Sequence, residues 1–257
     1  DDGNTLLLLD DADAAPREVR LPAAAATVVG GGDGAVLAPA AGVVARVDVD
    51  TGALEEVQVD GDARSAAVLA DGRWAVGTAE GQVLILDPTS GEVATTIEGL
   101  ASADALAVTG DTVAVLDRGQ TSLTELNLED GRLGIALRAG EGATQLVTDP
   151  FGRVVVADTR DDELLVYTLD ALILRQRYPA GPAPYGLAYG AAQDLVWVTL
   201  TGSNEVVGYD LSTGIPRERH RFATVRQPNS IVVDPADGAL VIASATGDGL
   251  QRIPIEG

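Results

Sequence analysis

The sequence predicts an all-β protein, a β-propeller of four-stranded blades. Two observations carry that expectation. A strand-and-turn signature recurs from end to end: LLLLD at Leu6–Asp10, ARVDVDTG at Ala45–Gly52, VLILDPTSG at Val83–Gly91, LTELNLEDG at Leu123–Gly131, LLVYTLDA at Leu164–Ala171, VVGYDLSTG at Val206–Gly214 and LQRIPIEG at Leu250–Gly257. Its anchors, Asp10, Asp48, Asp87, Asn127, Thr168, Asp210 and Pro254, stand 38, 39, 40, 41, 42 and 44 residues apart. A period near forty in a strand-rich chain is the mark of a propeller repeat.

Each period orders into four strands. An inner strand comes first: ATVVG at Ala26, SAAVLA at Ser65, ALAVTG at Ala105, QLVTD at Gln145, GLAYG at Gly186 and SIVVD at Ser230. Turns such as DPFG at Asp149–Gly152 and DPADG at Asp234–Gly238 follow, because Pro fixes φ and Gly supplies positive φ. The second strands are AVLA at Ala35, WAVG at Trp74, VAVLD at Val113, VVVAD at Val154, VWVTL at Val196 and LVIAS at Leu240. The anchored signature is the third. The fourth is more polar, as in LEEVQV at Leu54 and RERHRF at Arg217, which suits a sheet edge in water. The N-terminus supplies a third and a fourth strand, five full sets follow, and the C-terminus supplies three, giving twenty-five. Seven four-stranded blades need about 28, so seven blades are expected, with an incomplete N-terminus short of about 25–30 residues by the period. The runner-up is six blades. No linker interrupts the repeat, so residues 1–257 are read as one domain.

Composition narrows the function classes. The 257 residues are 46% hydrophobic with mean hydropathy +0.16, ample for a packed core. Aromatics are 4%, so Val, Leu, Ile and Ala must fill it. Thirty-nine acidic residues stand against 17 basic ones, all Arg, for a net charge of −22. That excludes a nucleic-acid partner, which needs a basic surface, and docking on anionic lipid. Cysteine is absent, and with it disulfides, zinc thiolates and a thiol nucleophile. No run of 18 apolar residues offers a membrane span. With no Met at position 1, the chain is expected to begin after a processed N-terminus, from which a signal or lipid anchor has gone.

Units such as QPNSIVVDPADGALVIASATGDGLQRI (Gln227–Ile253) and PAPYGLAYGAAQDLVWVTLTGSNEVVGYDLSTG (Pro182–Gly214) resemble the bacterial YVTN/YncE-type propellers. The match is strongest from Gln145 onward. The YVTN tetrad itself is replaced by VTLT (Val198–Thr201), VADT (Val156–Thr159) and IASA (Ile242–Ala245). The resemblance implies a propeller fold and an extracytoplasmic setting, periplasmic or cell-surface. The Lys-free, Ala- and Arg-rich composition looks like a high-GC, actinobacterial genome, and a lipoprotein is the form expected.

On a propeller, function gathers where loops meet the channel mouth. The fourth-to-first loops offer Arg64, Asp104, Glu141, Thr144, Tyr185 and Asn229. The second-to-third loops offer Arg118, Arg160, Asp161, Asp162, Ser203, Asn204 and Asp248. Of these Arg64, Arg118, Arg160, Tyr185, Asn204 and Asn229 are the candidate ligand residues. The only histidine, His220, lies in an outer strand, so a Ser–His–Asp triad or multi-histidine metal site is not expected. Asp48-x-Asp50-x-Gly52 echoes a calcium loop, but the distal Glu spacing is wrong; a plain turn is expected. Trp74 and Trp197 each precede an anchor by thirteen residues, which predicts one inter-blade packing slot. Arg175 and Arg177 on one outer strand, with Arg217, Arg219 and Arg221 on the next, predict a basic rim able to dock an acidic partner segment.

The expectation is a non-enzymatic extracytoplasmic interaction or scaffold module of the cell envelope, without catalytic residues, metal or cofactor, and with a protein partner. Two alternatives accompany it. One is a divalent-cation-dependent hydrolase, because QPNS around Asn229 is similar to the Pro-Asn-Gly ligand segment of gluconolactonase-type propellers. The other is a small-ligand or glycan sensor.

Overall fold

The polar anchors explain their own recurrence. Asp48 accepts the Thr51 N–H at 2.8 Å, Asp87 the Thr89 and Ser90 N–H at 2.8 and 3.0 Å, Asn127 the Asp130 N–H at 2.9 Å and Asp210 the Ser212 N–H at 2.8 Å. These are side-chain turns, in which a short polar residue replaces a backbone acceptor. Gly52, Gly91, Gly131 and Gly214 close them at φ of 63–78°. The Asp48–Gly52 segment is therefore a turn.

These relationships come from a computed structural model that describes residues 3–9, 15–169 and 171–255; the first anchor, Asp10, lies outside them. Among the described residues all regular structure is β. The chain divides into two compact units, Asp1–Gln120 with Thr124–Ala136, and Thr121–Leu123 with Leu137–Gly257.

In the first unit, β1 (Thr5–Leu8) pairs with β2 (Arg17–Arg20). A six-stranded sheet then runs in order through β3 (Val29–Gly32), β4 (Ala35–Asp48), β5 (Leu54–Val68), β6 (Trp74–Thr78), β7 (Val83–Leu86) and β8 (Val93–Ile97). Within β4 the chain doubles back. A straight 14-residue strand would span about 45 Å, yet Val49 N donates to Gly34 O at 2.9 Å. Gly42, at φ 76°, marks the reversal. A four-stranded sheet follows: β9 (Ala105–Thr109), β10 (Thr112–Asp117), β11 (Ser122–Asn127) and β12 (Arg132–Arg138).

The second unit holds β13 (Ala143–Thr148), β14 (Arg153–Asp158), β15 (Glu163–Thr168) and β16 (Ile173–Pro179) as one sheet. The next comprises β17 (Pro184–Gly190), β18 (Leu195–Leu200), β19 (Glu205–Asp210) and β20 (Arg217–Ala223). A three-stranded sheet, β21 (Pro228–Val233), β22 (Leu240–Ser244) and β23 (Leu250–Ile253), completes it.

The expected seven blades are not supported. Among the described residues, five sheets of three or more strands and one bare pair form. The expectation placed breaks after AVLA and after LEEVQV; the reversal at Gly42 meets the first, but at the second β5 runs on to pair with both β4 and β6, uniting β3–β8 in one sheet.

Valine, leucine, isoleucine and alanine fill the cores as composition requires. In the second unit, Trp197 packs with Ile231, Leu240 and Ile242 between adjacent sheets. Trp74 packs with Leu37, Val44 and Val57 in the first. The two tryptophans do not share a slot. Trp74 faces Val68, one position beyond the Ala75–Ala67 pair, and Trp197 faces Ala188 in the register that Ala75 holds. Each therefore points to the opposite side of its sheet.

Candidate functional site

Bulges set the mouth of the second unit. Its three first strands, β13, β17 and β21, lose register at one matching position, leaving Thr144, Tyr185 with Gly186, and Asn229 out of the ladder. A bulge frees one residue and re-aims it. In the first unit Arg64 takes the same slot of β5, and Asp104 flanks β9 there. Thr144, Tyr185 and Asn229 are half-buried. Gln145 Nε2 reaches Asn229 O at 3.5 Å. Thr159 spends its hydroxyl proton on Pro184 O at 2.6 Å, so Thr144 is the donor in its 2.7 Å bond to Thr159.

Other sequence-chosen residues hold the scaffold. Asn204 Oδ1 accepts the Gln227 N–H at 2.8 Å, and Asp162 accepts the Ala183 N–H at 2.8 Å in the preceding sheet. Both stand at positive φ, 55° and 60°, so each clasps its turn to the approach of a first strand. Arg64 pairs with Asp62 at 2.7 Å. The Arg118 N–H donates to Asp104 at 2.9 Å, and Asp104 also accepts the Ser102 hydroxyl. Asp248 pairs with Arg226 at 3.1 Å. Arg160 is exposed beside Gly142, where a Cβ would lie 2.7 Å from its own.

The basic rim largely satisfies itself. Arg177 binds Glu163 at 2.7 Å, Arg219 binds Asp210 at 2.5 Å, and Arg221 binds Glu205 at 2.9 Å and Glu218 at 2.7 Å. Arg175 donates to Thr168 Oγ1 at 3.2 Å, and Arg217 is exposed. Simple alternation along β20 fails because a bulge lies between His220 and Glu218. Arg175 occupies the corresponding bulge of β16.

A pocket of about 390 Å³ opens in the second unit, lined by Arg138, Gly140, Glu141, Asp161, Leu165, Leu174 and Arg177. The Gly140–Gly142 loop beside it is held by Asp158, fully buried at the end of β14. The two oxygens of Asp158 accept the Glu141 N–H at 3.0 Å and the Gly142 N–H at 2.8 Å. Gly140, at φ 73°, permits this approach, since a Cβ there would strike the Asp158 carboxylate. One carboxylate oxygen from each of Asp158, Asp161 and Glu163 lies within 4.8 Å of the others. Loss of surrounding water, then the Asp158 and Glu141 charges, raise the Asp161 carboxyl above its ordinary range; Arg177, 3.5 Å away, opposes the shift. Sequence reasoning found Asp161, Glu141 and Arg177 but not Asp158, Glu163 or Arg138. The available signal was the carboxylate closing VVVAD opposite the Gly140-Glu141-Gly142 loop.

His220 is remote from this chemistry. Its ring lies 5.8 Å from Trp197 and 6.0 Å from Phe222, on the outer strand of its sheet.

No protein-family model matches the chain, and no curated protein does. Solved structures do. A catalytically inactive histidine-to-alanine variant of virginiamycin B lyase from Staphylococcus aureus, with quinupristin, superposes with a TM-score of 0.78 at 15% identity, covering 99% of this chain and 89% of that one. A streptogramin B lyase structure gives 0.80 at 12%, covering 99% and 87%. The fold is a β-propeller. The neighbours are enzymes, and this corrects the expected non-enzymatic scaffold: the architecture on which that expectation rested is one that carries catalysis.

Proposed function

We propose that this chain is an enzymatic β-propeller working by acid–base chemistry, with the Asp158–Asp161 pair as its proton-handling centre. The observation that carries the reading is Asp161: a carboxyl on a pocket wall, raised above its ordinary range beside a second, buried carboxyl. Paired carboxyls in unlike surroundings are a common basis for dividing acid and base roles. Asp161 is the member of the pair that stands on the pocket wall, placed to exchange a proton with a ligand. Glu141, exposed on the same pocket, is placed to accept one. The volume suits a small ligand, since such sites run from about 300 to 1,000 Å³.

The lyase neighbours support the reaction class and not the substrate. One of them is inactive when a histidine is replaced, and the sole histidine here is stacked away on β20. Streptogramin chemistry is therefore not carried over; the proton work falls to carboxyls. The same proposal keeps the extracytoplasmic setting suggested by the YVTN-type cadence, which cell fractionation tests.

Carbon-detected NMR titration of the aspartate carboxyls tests the acid–base reading without a substrate. Asp161 is expected to titrate above the ordinary aspartate range and to move down in Asp158→Asn. An Asp161 that titrates like a solvent-exposed aspartate in the unaltered protein ends the proposal.

A further inference from the structure

The pocket carries a charge pattern beyond the Asp158–Asp161 pair. Arg177 is committed to Glu163 and Asp161. Arg138 and Glu141 are not committed: among the described residues neither side chain has an ion-pair partner, and Arg138 Nε donates only to Gly140 O, at 2.8 Å. The two lie three positions apart on either side of Gly140, whose left-handed backbone is fixed by Asp158 below it. They line one pocket without reaching each other. Leu165, buried, and Leu174, 37% exposed, line the same pocket and give it an apolar part. Two opposite charges held apart over apolar ground match a ligand that carries both charges on a short aliphatic body.

We infer that the pocket binds a small zwitterion, an α-amino acid with an aliphatic side chain. Its carboxylate meets the Arg138 guanidinium, its ammonium meets Glu141, and its side chain packs on Leu174. The inference rests on the pocket assigned above and names its ligand class. Arg suits the carboxylate because its planar fork presents two donors to two oxygens.

Calorimetric titration with three probes tests it: L-leucine, L-leucinamide, which lacks the carboxylate, and 4-methylpentanoate, which lacks the ammonium. L-Leucine is expected to bind, and each analogue to bind about ten- to a hundredfold more weakly, the usual worth of one charge-assisted contact. Arg138→Gln should weaken L-leucine to the level of leucinamide while leaving leucinamide unchanged. Glu141→Gln should do the same with 4-methylpentanoate. Arg138→Lys, which keeps charge and stem, should restore part of the loss and controls for folding. Absence of saturable L-leucine binding up to its solubility overturns the inference, as does unaltered affinity in Arg138→Gln. Binding measured this way is independent of the Asp161 titration, so the ligand class and the acid–base reading can fail separately.

Discussion

Asn204 offers a sharp distinction between a residue that touches ligand and one that holds a turn. In Asn204→Ala two losses add. The 2.8 Å bond from the Gln227 N–H disappears, about 1 kcal/mol for an exposed backbone donor that water can satisfy. An alanine must also sit at φ 55°, which costs about 1 kcal/mol more than asparagine, a residue that visits this region readily. The expected loss is about 2 kcal/mol, or a melting temperature lower by about 4–8 °C for a chain of this size. Asn204→Asp should be nearly neutral, because Asp162 makes the same clasp one sheet earlier. Asn204→Gly should fall between, losing the bond but not the conformation. Urea denaturation of the three variants at one pH, with L-leucine titration alongside, checks the order. Stability unchanged in Asn204→Ala, or aspartate more damaging than alanine, would refute the clasp. An L-leucine affinity that followed the stability losses would place Asn204 in the binding site instead.

Two further outcomes follow from buried groups. Tyr167 and Tyr209 donate to Arg138 O and Ala180 O at 2.6 and 3.0 Å, and burial pushes both phenols up to about 12. A folded value above the unfolded one means that their stabilisation is complete below about pH 10 and is lost as pH climbs through about 12. Chemical denaturation across that window should show the decline, and Tyr209→Phe should both flatten it and cost about 1–2 kcal/mol at neutral pH. Gly208→Ala should cost about 1–3 kcal/mol by overpacking, since its Cβ would lie 2.8–3.0 Å from the buried Trp197 ring; an unchanged melting curve would show that the ring can yield.

Local chemistry was legible in the sequence and long-range register was not. The anchors, the DPFG and DPADG turns and the first strands follow from neighbours in the chain, and Asp149 and Asp234 do accept the Gly152 and Gly238 N–H at 3.4 and 2.8 Å. Choosing Arg64, Asp104, Thr144, Tyr185 and Asn229 together identified one position of the repeat, which the structure reveals as the bulge slot. Bulges themselves left no mark in the pattern, so the alternation assumed for Arg217, Arg219 and Arg221 failed. Equal spacing misplaced the tryptophans for a related reason: one extra residue between paired positions shifts a side chain to the other face. Asp158 escaped notice because its importance lies in two N–H groups supplied by a loop seventeen and sixteen residues earlier.

β5 has a mechanical consequence. Leu54 to Gln58 ladder with β4, and Ala63 to Val68 ladder with β6, with only Gly61 at φ 94° easing the bend. One continuous stretch of chain serves both neighbours. Amide protons along it should open as one cooperative block, so that loosening either half transmits directly to the other through covalent backbone.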